Sequence, residues 1–388
     1  MFRKMPFIMA IMIIFIVLLS PIIPLYIKQL LYSISLSIKS IILFILPFII
    51  FSLLFKASVI LSRNATKVIG IIVIFVCCSN FLSTFISHYI GIWIYSSDLA
   101  NLQFHNIDNL TTLWLLHLPN IISNSDAMIT GVILGIFAST FFPKKAEQLA
   151  VTIEIYIESF LNNFIFFVPL FVVGFVIKMQ HDGILELLTK EYALIFSLIA
   201  ISQFTYIIIC YLLLNKFSFI RVFNNIKRVF PAVISGFSTM SSAASMPLLI
   251  MGLESNTKNK DVVRAVVPAT INIHLIGDCF AIPILAYAIL KGFGMEEPPL
   301  VTYIVFIFYF ILAKFSVVAV PGGGIIVMLP LLESYLGFNS EMLSLITALY
   351  ILFDPVITAA NVLGNGAFAK LIDKMLSYMQ KTKYQLSI

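Results

Sequence analysis

The sequence Ser-Thr-Met-Ser-Ser-Ala-Ala-Ser at residues 238–245 interrupts an apolar segment of this chain. The sequence Pro-Gly-Gly-Gly at residues 321–324 interrupts a second one. Both place small or polar residues where a continuous membrane helix would have apolar ones. The hydrocarbon core of a bilayer tolerates such a backbone only where it is buried in protein or lines a cavity. The two interruptions therefore indicate a binding site at membrane depth.

The composition is that of an integral membrane protein. The 388 residues are 61% hydrophobic and 11% charged, whereas a soluble domain carries about 25% charged residues. A helix that crosses a bilayer needs roughly 20 apolar residues. The sequence therefore predicts an all-α polytopic fold with eight transmembrane helices, near residues 5–27, 40–62, 67–95, 126–142, 150–177, 191–215, 262–292 and 341–376.

The two interrupted segments, 226–252 and 299–333, lie between the late predicted spans. Each is long enough to enter the membrane and return as a re-entrant helical hairpin. A hairpin followed by a helix thus occurs twice, over 226–292 and 299–376, which is typical of inverted repeats with a binding site at the bilayer midplane.

The basic residues indicate how the chain is oriented. The net charge is +6, with 24 Lys and Arg residues, but their distribution does not favour nucleic-acid binding. If the first loop faces outward, most of them lie on the side of the two termini, and residues 96–125 contain none. The positive-inside rule then predicts a multi-pass protein of the cell membrane with both termini cytoplasmic. The apolar N-terminus lacks a small-residue cleavage site, so we expect it to be retained as the first span.

The last predicted span carries a polar stripe. Asp354, Thr358, Asn361 and Asn365 are four, three and four residues apart, which places them on one face of a helix. Such groups are costly in the membrane unless they face partners or water. The stripe is either a structural seam between helices or a site for substrate or ion, and Asp354 suits an α-ammonium group.

The segment from Pro268 to Asp278 is also unusual for a membrane helix. Pro268 and Gly277 weaken helix continuity and free carbonyl groups that can coordinate a cation. His274 and Asp278 are four residues apart, so on a continuous helix they share a face and can form a hydrogen-bonded pair. The histidine is either a satisfied core residue or part of a proton path.

The two hairpin tips suit different tasks. Ser241, Ser242 and Ser245 supply hydroxyl groups at a tip where helix N-termini attract anions. The glycines at 322–324 supply the backbone freedom that a gate requires. Lys314 lies shortly before the second tip, where it either snorkels to the interface or pairs with an acidic group.

The two interruptions and the polar stripe resemble motifs of the dicarboxylate/amino acid:cation symporter family, the glutamate-transporter homologues. The resemblance is strongest over 225–376. The stripe is similar to the family's Asp…Arg-Thr-x-x-Asn-Val-x-Gly-Asp motif. The resemblance implies a homotrimer in which a transport domain slides as an elevator against a fixed scaffold. It assigns 1–62 (helices 1–2) and 96–190 (outer loop, helices 4–5) to the scaffold, and 67–95 and 191–380 to the transport domain.

The resemblance also implies roles for individual residues. The substrate carboxylate would meet the serines of the first tip, and Asp354 would hold its ammonium. The expected substrate-binding residues are Ser241, Ser242, Asp278, Val320, Gly324, Asp354, Thr358 and Asn361. The expected gate residues are Pro321, Gly322, Gly323 and Gly324. The residues expected to couple a cation or proton are Thr270, Asn272, His274, Asp278, Asn361 and Asn365.

The departures from the family motif bear on the substrate. Ile357 stands where members that carry acidic substrates have arginine, and Met240 offers no substitute at the first tip. A substrate side-chain carboxylate would lose its hydration without a cationic partner. We therefore expect a small neutral amino acid rather than a dicarboxylate or acidic amino acid.

Further departures bear on the ion. Asn365 replaces a sodium-binding aspartate of the family. The family's Asn-Met-Asp-Gly-Thr sequence can be aligned without a gap to residues 274–278, or to a segment that starts at Asn272 and contains a two-residue insertion. We favour the alignment without a gap, because an insertion would rotate the helix that follows. Sodium is the only metal that the resemblance implies. A hard cation prefers several oxygen ligands, so the replacement of the family's aspartate by Asn365 counts against sodium. Coupling to protons through His274 and Asp278, or uncoupled exchange, remains open.

The sequence therefore predicts a secondary active transporter of an amino acid, coupled to a cation and free of other cofactors. Two classes compete with this interpretation. An ion channel would need a continuous polar pore, whereas the polar residues cluster at one depth. An intramembrane enzyme would need a nucleophile and base such as Ser241 or Ser242 with His274, and we expect no enzymatic activity.

Overall fold

The computed structural model describes residues 15–16, 18–19, 21–63, 67–97, 110–119, 121–122, 124–164, 167–182, 192–255, 257, 259–315, 317 and 322–385. No β-strand occurs in this part of the chain, which confirms the predicted all-α class. The number of membrane spans stays a prediction. Most of the predicted first span and the gate residues Val320 and Pro321 lie outside the described residues.

We number the helices in chain order. They are α1 (Leu25–Arg63), α2 (Lys67–Ser96), α3 (Asn124–Phe141), α4 (Pro143–Phe164), α5 (Val168–His181), α6 (Ala193–Leu214), α7 (Phe219–Thr239), α8 (Ser242–Glu254), α9 (Lys260–Thr270), α10 (Ile276–Gly292), α11 (Leu300–Lys314), α12 (Gly323–Leu336) and α13 (Ser340–Gln385).

The segment 28–39, which the predicted spans leave as a loop, is helical. It is part of α1, which runs without interruption through Pro47. Ser33 and Ser37 are accommodated within it, since each hydroxyl donates to the backbone carbonyl four residues earlier, at 2.8 and 2.9 Å. The prediction of a loop was wrong because these serines satisfy their hydrogen bonds within the helix and do not break it.

Three of the described helical segments are long and apolar enough to cross a membrane, namely Gly70–Ser96, Ala193–Leu214 and Glu341–Tyr378. Glu341–Tyr378 is largely buried within the protein, whereas most residues of the other two segments are not buried. A buried apolar helix can carry polar groups that face protein and not lipid. Helix α13 is therefore positioned to carry a site at the centre of the molecule.

The helices pack in two sets. Helix α1 packs mainly against α3, α4 and α5, whereas α13 packs against α6 to α10 and α12. Helix α2 belongs with the second set through α10 and α11. Contacts between the sets, such as α13 with α5, are smaller. The division into a fixed scaffold and a moving transport domain stays a prediction.

The first predicted tip is the turn between α7 and α8. Met240 ends α7 in the left-handed conformation, at φ = 50°. Ser241 begins the next helix, since its Oγ accepts a hydrogen bond from the backbone N–H of Ala244 at 3.3 Å. The serine side chain thus satisfies one of the free donors at a helix N-terminus, and the chain reverses within two residues.

The expected weakening of the helix between Pro268 and Gly277 is confirmed as a break at residues 271–275. Side-chain amides satisfy the carbonyl groups that the break frees. Asn80 donates to the carbonyl oxygen of Ile273 at 2.8 Å, and Asn365 donates to that of His274 at 2.9 Å. These bonds from α2 and α13 explain why the break persists in a buried environment.

Candidate functional site

The turn between α7 and α8, the break before α10, the start of α12 and the centre of α13 meet at one small cavity. Its volume is about 30 Å³, which is room for about one or two water molecules. The residues that line it are Met240, Ser242, Asn272, Leu275, Asp278, Val317, Gly324, Tyr350, Asp354, Thr358 and Asn361. No basic side chain lines the cavity within the described part of the chain.

Asp354 joins the polar stripe of α13 to the tip of the second helix pair, which consists of α11 and α12. Its Oδ2 accepts a hydrogen bond from the backbone N–H of Gly322 at 2.9 Å, and its Oδ1 accepts one from Thr358 Oγ1 at 3.0 Å. Gly322 adopts φ = 73°, a conformation that glycine enters without steric cost. The buried carboxylate therefore holds the start of α12 against α13.

Asp278 is the second carboxylate of the cavity, and it lies in the first turn of α10. The hydroxyl of Tyr350 donates to its Oδ1, and Asn361 Nδ2 donates to its Oδ2 at 2.8 Å. The Nζ atom of Lys314 lies 3.7 Å from Oδ1. Both oxygens thus have hydrogen-bond donors, and a cation lies beside one of them.

Lys314 lies in the last turn of α11, where it pairs with Asp278 and does not snorkel to the interface. Its exposed fraction is 0%, and its Nζ lies 4.4 Å from the ring centroid of Phe310. Within the described residues the ammonium group donates no hydrogen bond. Its compensation therefore comes from the charge of Asp278 and from the face of the aromatic ring.

Two glycines permit this close packing. A Cβ atom on Gly324 would clash with Asp278 Oδ1 and with the hydroxyl of Tyr350. A Cβ atom on Gly277 would clash with the carbonyl oxygen of Ile357 on α13. The N–H of Gly277 in turn donates to Asn361 Oδ1 at 2.8 Å, which satisfies a donor in the first turn of α10.

The expected pairing of His274 with Asp278 was wrong. His274 Nε2 lies 2.8 Å from Ser79 Oγ, and the imidazole ring packs on Phe368 with centroids 4.3 Å apart. The reason is the break at 271–275, which places the two residues in different elements. The four-residue spacing brings side chains together only on a continuous helix.

Amide oxygens around the break have no hydrogen-bond donor within the described residues. They are Oδ1 of Asn80, Asn272 and Asn365, and all three are buried. Thr270, in contrast, turns its hydroxyl back to the carbonyl of Val266 at 2.9 Å, so it does not reach the cavity. Unpaired buried oxygens are costly, and a cation would satisfy them.

The structure brings together most of the predicted site residues. Ser242, Gly324 and Asn272 line the same cavity as the aspartates, Thr358 and Asn361. Ser241 caps α8 beside the cavity, Gly323 begins α12, and His274 and Asn365 meet at the break, where Asn365 Nδ2 also donates to the Asn361 carbonyl at 3.0 Å.

Sequence reasoning missed three contributors to the site. Tyr350 lies four residues before Asp354, so the polar stripe of α13 extends one turn further than the sequence analysis places it. Lys314 was noticed without its partner. Ser79 on α2 meets His274 across the fold, and no spacing within the sequence indicates that contact.

Known proteins share sequence similarity with the part of the chain that carries most of this site. Residues 157–375, more than half of the chain, match the sequence model of the sodium:dicarboxylate symporter family. Excitatory amino acid transporter 2 of Mus musculus, of Rattus norvegicus and of Homo sapiens is 29% identical over 161 residues. Each match covers 41% of this chain and 26% of the relative. The aligned region is thus about a quarter of the length of these relatives.

Proposed function

Because this chain belongs to the sodium:dicarboxylate symporter family, we propose that it is a secondary active transporter that carries a small neutral amino acid together with a cation. As a member of that family with several apolar helices, it is a multi-pass membrane protein. The observation that carries the proposal is the pair of buried carboxylates, Asp278 and Asp354, at one cavity between two interrupted helix pairs.

Asp354 is the proposed receptor for the substrate ammonium. One of its oxygens now accepts the N–H of Gly322, and the cavity is too small for an amino acid. Substrate binding therefore requires residues 322–324 to move away from α13, and the ammonium group then replaces the Gly322 donor. This movement is the proposed gate.

The first tip is the proposed receptor for the substrate carboxylate. Ser242 lines the cavity, and Ser241 is the N-cap of α8. The free backbone N–H groups and the positive end of the helix dipole favour an anion at this position. Thr358 and Asn361 supply further polar atoms to the lining of the cavity.

A neutral substrate follows from the charges around the cavity. Ile357 is fully buried on α13 and presents no charge. The nearest buried cation, Lys314, is already beside Asp278. A second carboxylate on the substrate would therefore enter an environment that offers it no free cationic partner. This is the reason to prefer a neutral amino acid over glutamate, aspartate or a dicarboxylate.

The coupling cation is proposed to bind at the break between α9 and α10. Asn80, Asn272 and Asn365 each contribute a buried amide oxygen there that lacks a donor in the described ranges. Hard cations select oxygen ligands of this kind. We further propose the elevator mechanism, with α1 and α3–α5 as the scaffold of a homotrimer, since α2 and α6–α13 pack mainly among themselves.

Uptake into proteoliposomes tests the proposal. The purified protein should accumulate a labelled neutral amino acid with saturable kinetics when a cation gradient is imposed, and separate sodium and proton gradients identify the cation. Asp354→Asn should lose uptake, whereas Glu333→Gln on the exposed face of α12 should retain it. Equal uptake by empty liposomes and by protein-containing ones would overturn the proposal.

A further inference from the structure

Lys314 and Asp278 form a buried ion pair that the proposed transport cycle does not use. The exposed fraction of Lys314 is 0% and that of Asp278 is 1%. The two residues lie on different helices, α11 and α10, and their charged atoms are 3.7 Å apart. Their contact therefore depends on the way the second helix pair packs on α10, and not on local spacing.

The pair has a defined position relative to the cavity. Asp278 lines the cavity, whereas Lys314 does not. The ammonium group lies 3.7 Å from the carboxylate of Asp278 and 4.4 Å from the ring centroid of Phe310. Because Lys314 does not line the cavity, it is a poor receptor for a substrate that enters from the cavity. It is well placed to neutralise Asp278 permanently.

Removal of either charge would leave the other without compensation. A buried carboxylate without a cation is strongly unfavourable, as is a buried ammonium without an anion. Asp278 keeps its hydrogen bonds from Tyr350 and Asn361 when only Lys314 is replaced. What Lys314 adds to this carboxylate is therefore the positive charge itself.

We propose that Lys314 is a tethered cation that occupies the place of a metal ion at Asp278, so that this carboxylate binds no sodium. The inference rests on the proposed function, because it specifies which part of the transport site couples to ions. Of the two carboxylates, Asp354 alone then remains available to the substrate ammonium. The coupling cation must bind away from Asp278, at the amide oxygens around the break.

Thermal unfolding of purified protein, in sodium chloride and in choline chloride, tests this inference without any measurement of uptake. Lys314→Met should melt several degrees below wild type in choline. The rise in melting temperature from choline to sodium should be several-fold larger for Lys314→Met than for wild type, since sodium can replace the missing charge. Asp278→Asn should also be destabilised, but sodium should not restore it.

The double variant Lys314→Met/Asp278→Asn separates charge compensation from general damage. It removes both charges and keeps a similar shape, so it should melt near wild type and lose the extra response to sodium. Lys144→Met on the exposed surface of α4 is the matched control for the loss of a lysine. If Lys314→Met fails to fold, recovery of a folded double variant still supports the pair.

Two results would overturn the inference. One is an equal sodium response in wild type, Lys314→Met and the double variant. The other is a double variant no more stable than Lys314→Met. A wild-type protein that takes up no amino acid would overturn the proposed function instead, and the melting temperatures would still decide the role of Lys314.

Discussion

The backbone N–H of Gly322 donates a hydrogen bond to Oδ2 of Asp354 at 2.9 Å. This contact joins the start of α12 to the polar stripe of α13, and it uses a carboxylate oxygen that the substrate is proposed to need. The closed contact of Gly322 with Asp354 and the binding of the substrate ammonium are therefore alternatives at the same atom. The predictions below follow from this relationship and from the packing around it.

Replacement of Asp354 by asparagine should remove the proposed ammonium site and leave the fold intact. The amide oxygen can still accept from Gly322, but it carries no charge for the substrate. A hydrogen bond to a charged group contributes about 1.5–3 kcal/mol, so apparent substrate affinity should fall at least about tenfold. Concentration-dependent uptake measures this loss, and unchanged affinity in Asp354→Asn would contradict the assignment.

Replacement of Gly324 by alanine should prevent the second tip from closing. The added Cβ would meet Asp278 Oδ1 and the hydroxyl of Tyr350, and overpacking of this kind costs about 1–3 kcal/mol. We expect a lower melting temperature and impaired uptake. Gly70→Ala is the matched control, because a Cβ there would meet no atom within 4 Å. Equal behaviour of the two variants would show that closure does not need Gly324.

Replacement of Tyr350 by phenylalanine should destabilise the protein and weaken uptake. The variant removes a donor from Oδ1 of Asp278, and a buried acceptor left without a donor costs about 1–3 kcal/mol. Thermal unfolding measures the effect. Tyr89→Phe on the exposed face of α2 should change little, and a Tyr350→Phe protein as stable as that control would mean that the bond contributes nothing.

Replacement of Asn365 by aspartate should make the protein more dependent on sodium. Asn365 Nδ2 donates to the carbonyl oxygens of His274 and Asn361, at 2.9 and 3.0 Å. A carboxylate would face these oxygens with no proton to donate, and either protonation or a cation between them would relieve the repulsion. We expect a sodium-dependent gain in melting temperature for Asn365→Asp that is absent from Asn365→Ala.

The sequence indicates the polar stripe of α13 well, because Asp354, Thr358 and Asn361 lie on one continuous helix where residue spacing determines the face. It also predicts the positions of both interruptions, since small and polar residues suit backbone that leaves a helix where it is buried in protein or lines a cavity. The same spacing rule failed for His274 and Asp278, because His274 lies in the helix break and Asp278 lies in the helix that follows it.

Contacts between distant elements were beyond sequence reasoning. The partner of Lys314 is a residue on another helix, and its choice depends on how α11 packs beside α10. The contact between Ser79 and His274 likewise depends on how α2 packs against the break. Tyr350, in contrast, was within reach, because it continues the stripe of Asp354 by one helical turn.

Competition for uptake in proteoliposomes tests the central claim most directly. Uptake of a labelled neutral amino acid by proteoliposomes of the wild-type protein is measured in the presence of an excess of unlabelled neutral amino acid, aspartate or a dicarboxylate. We predict that only the neutral amino acid competes and that Asp354→Asn takes it up with at least about tenfold lower apparent affinity. Competition by aspartate or the dicarboxylate as strong as that by the neutral amino acid, or no saturable uptake of the labelled neutral amino acid, would contradict the claim.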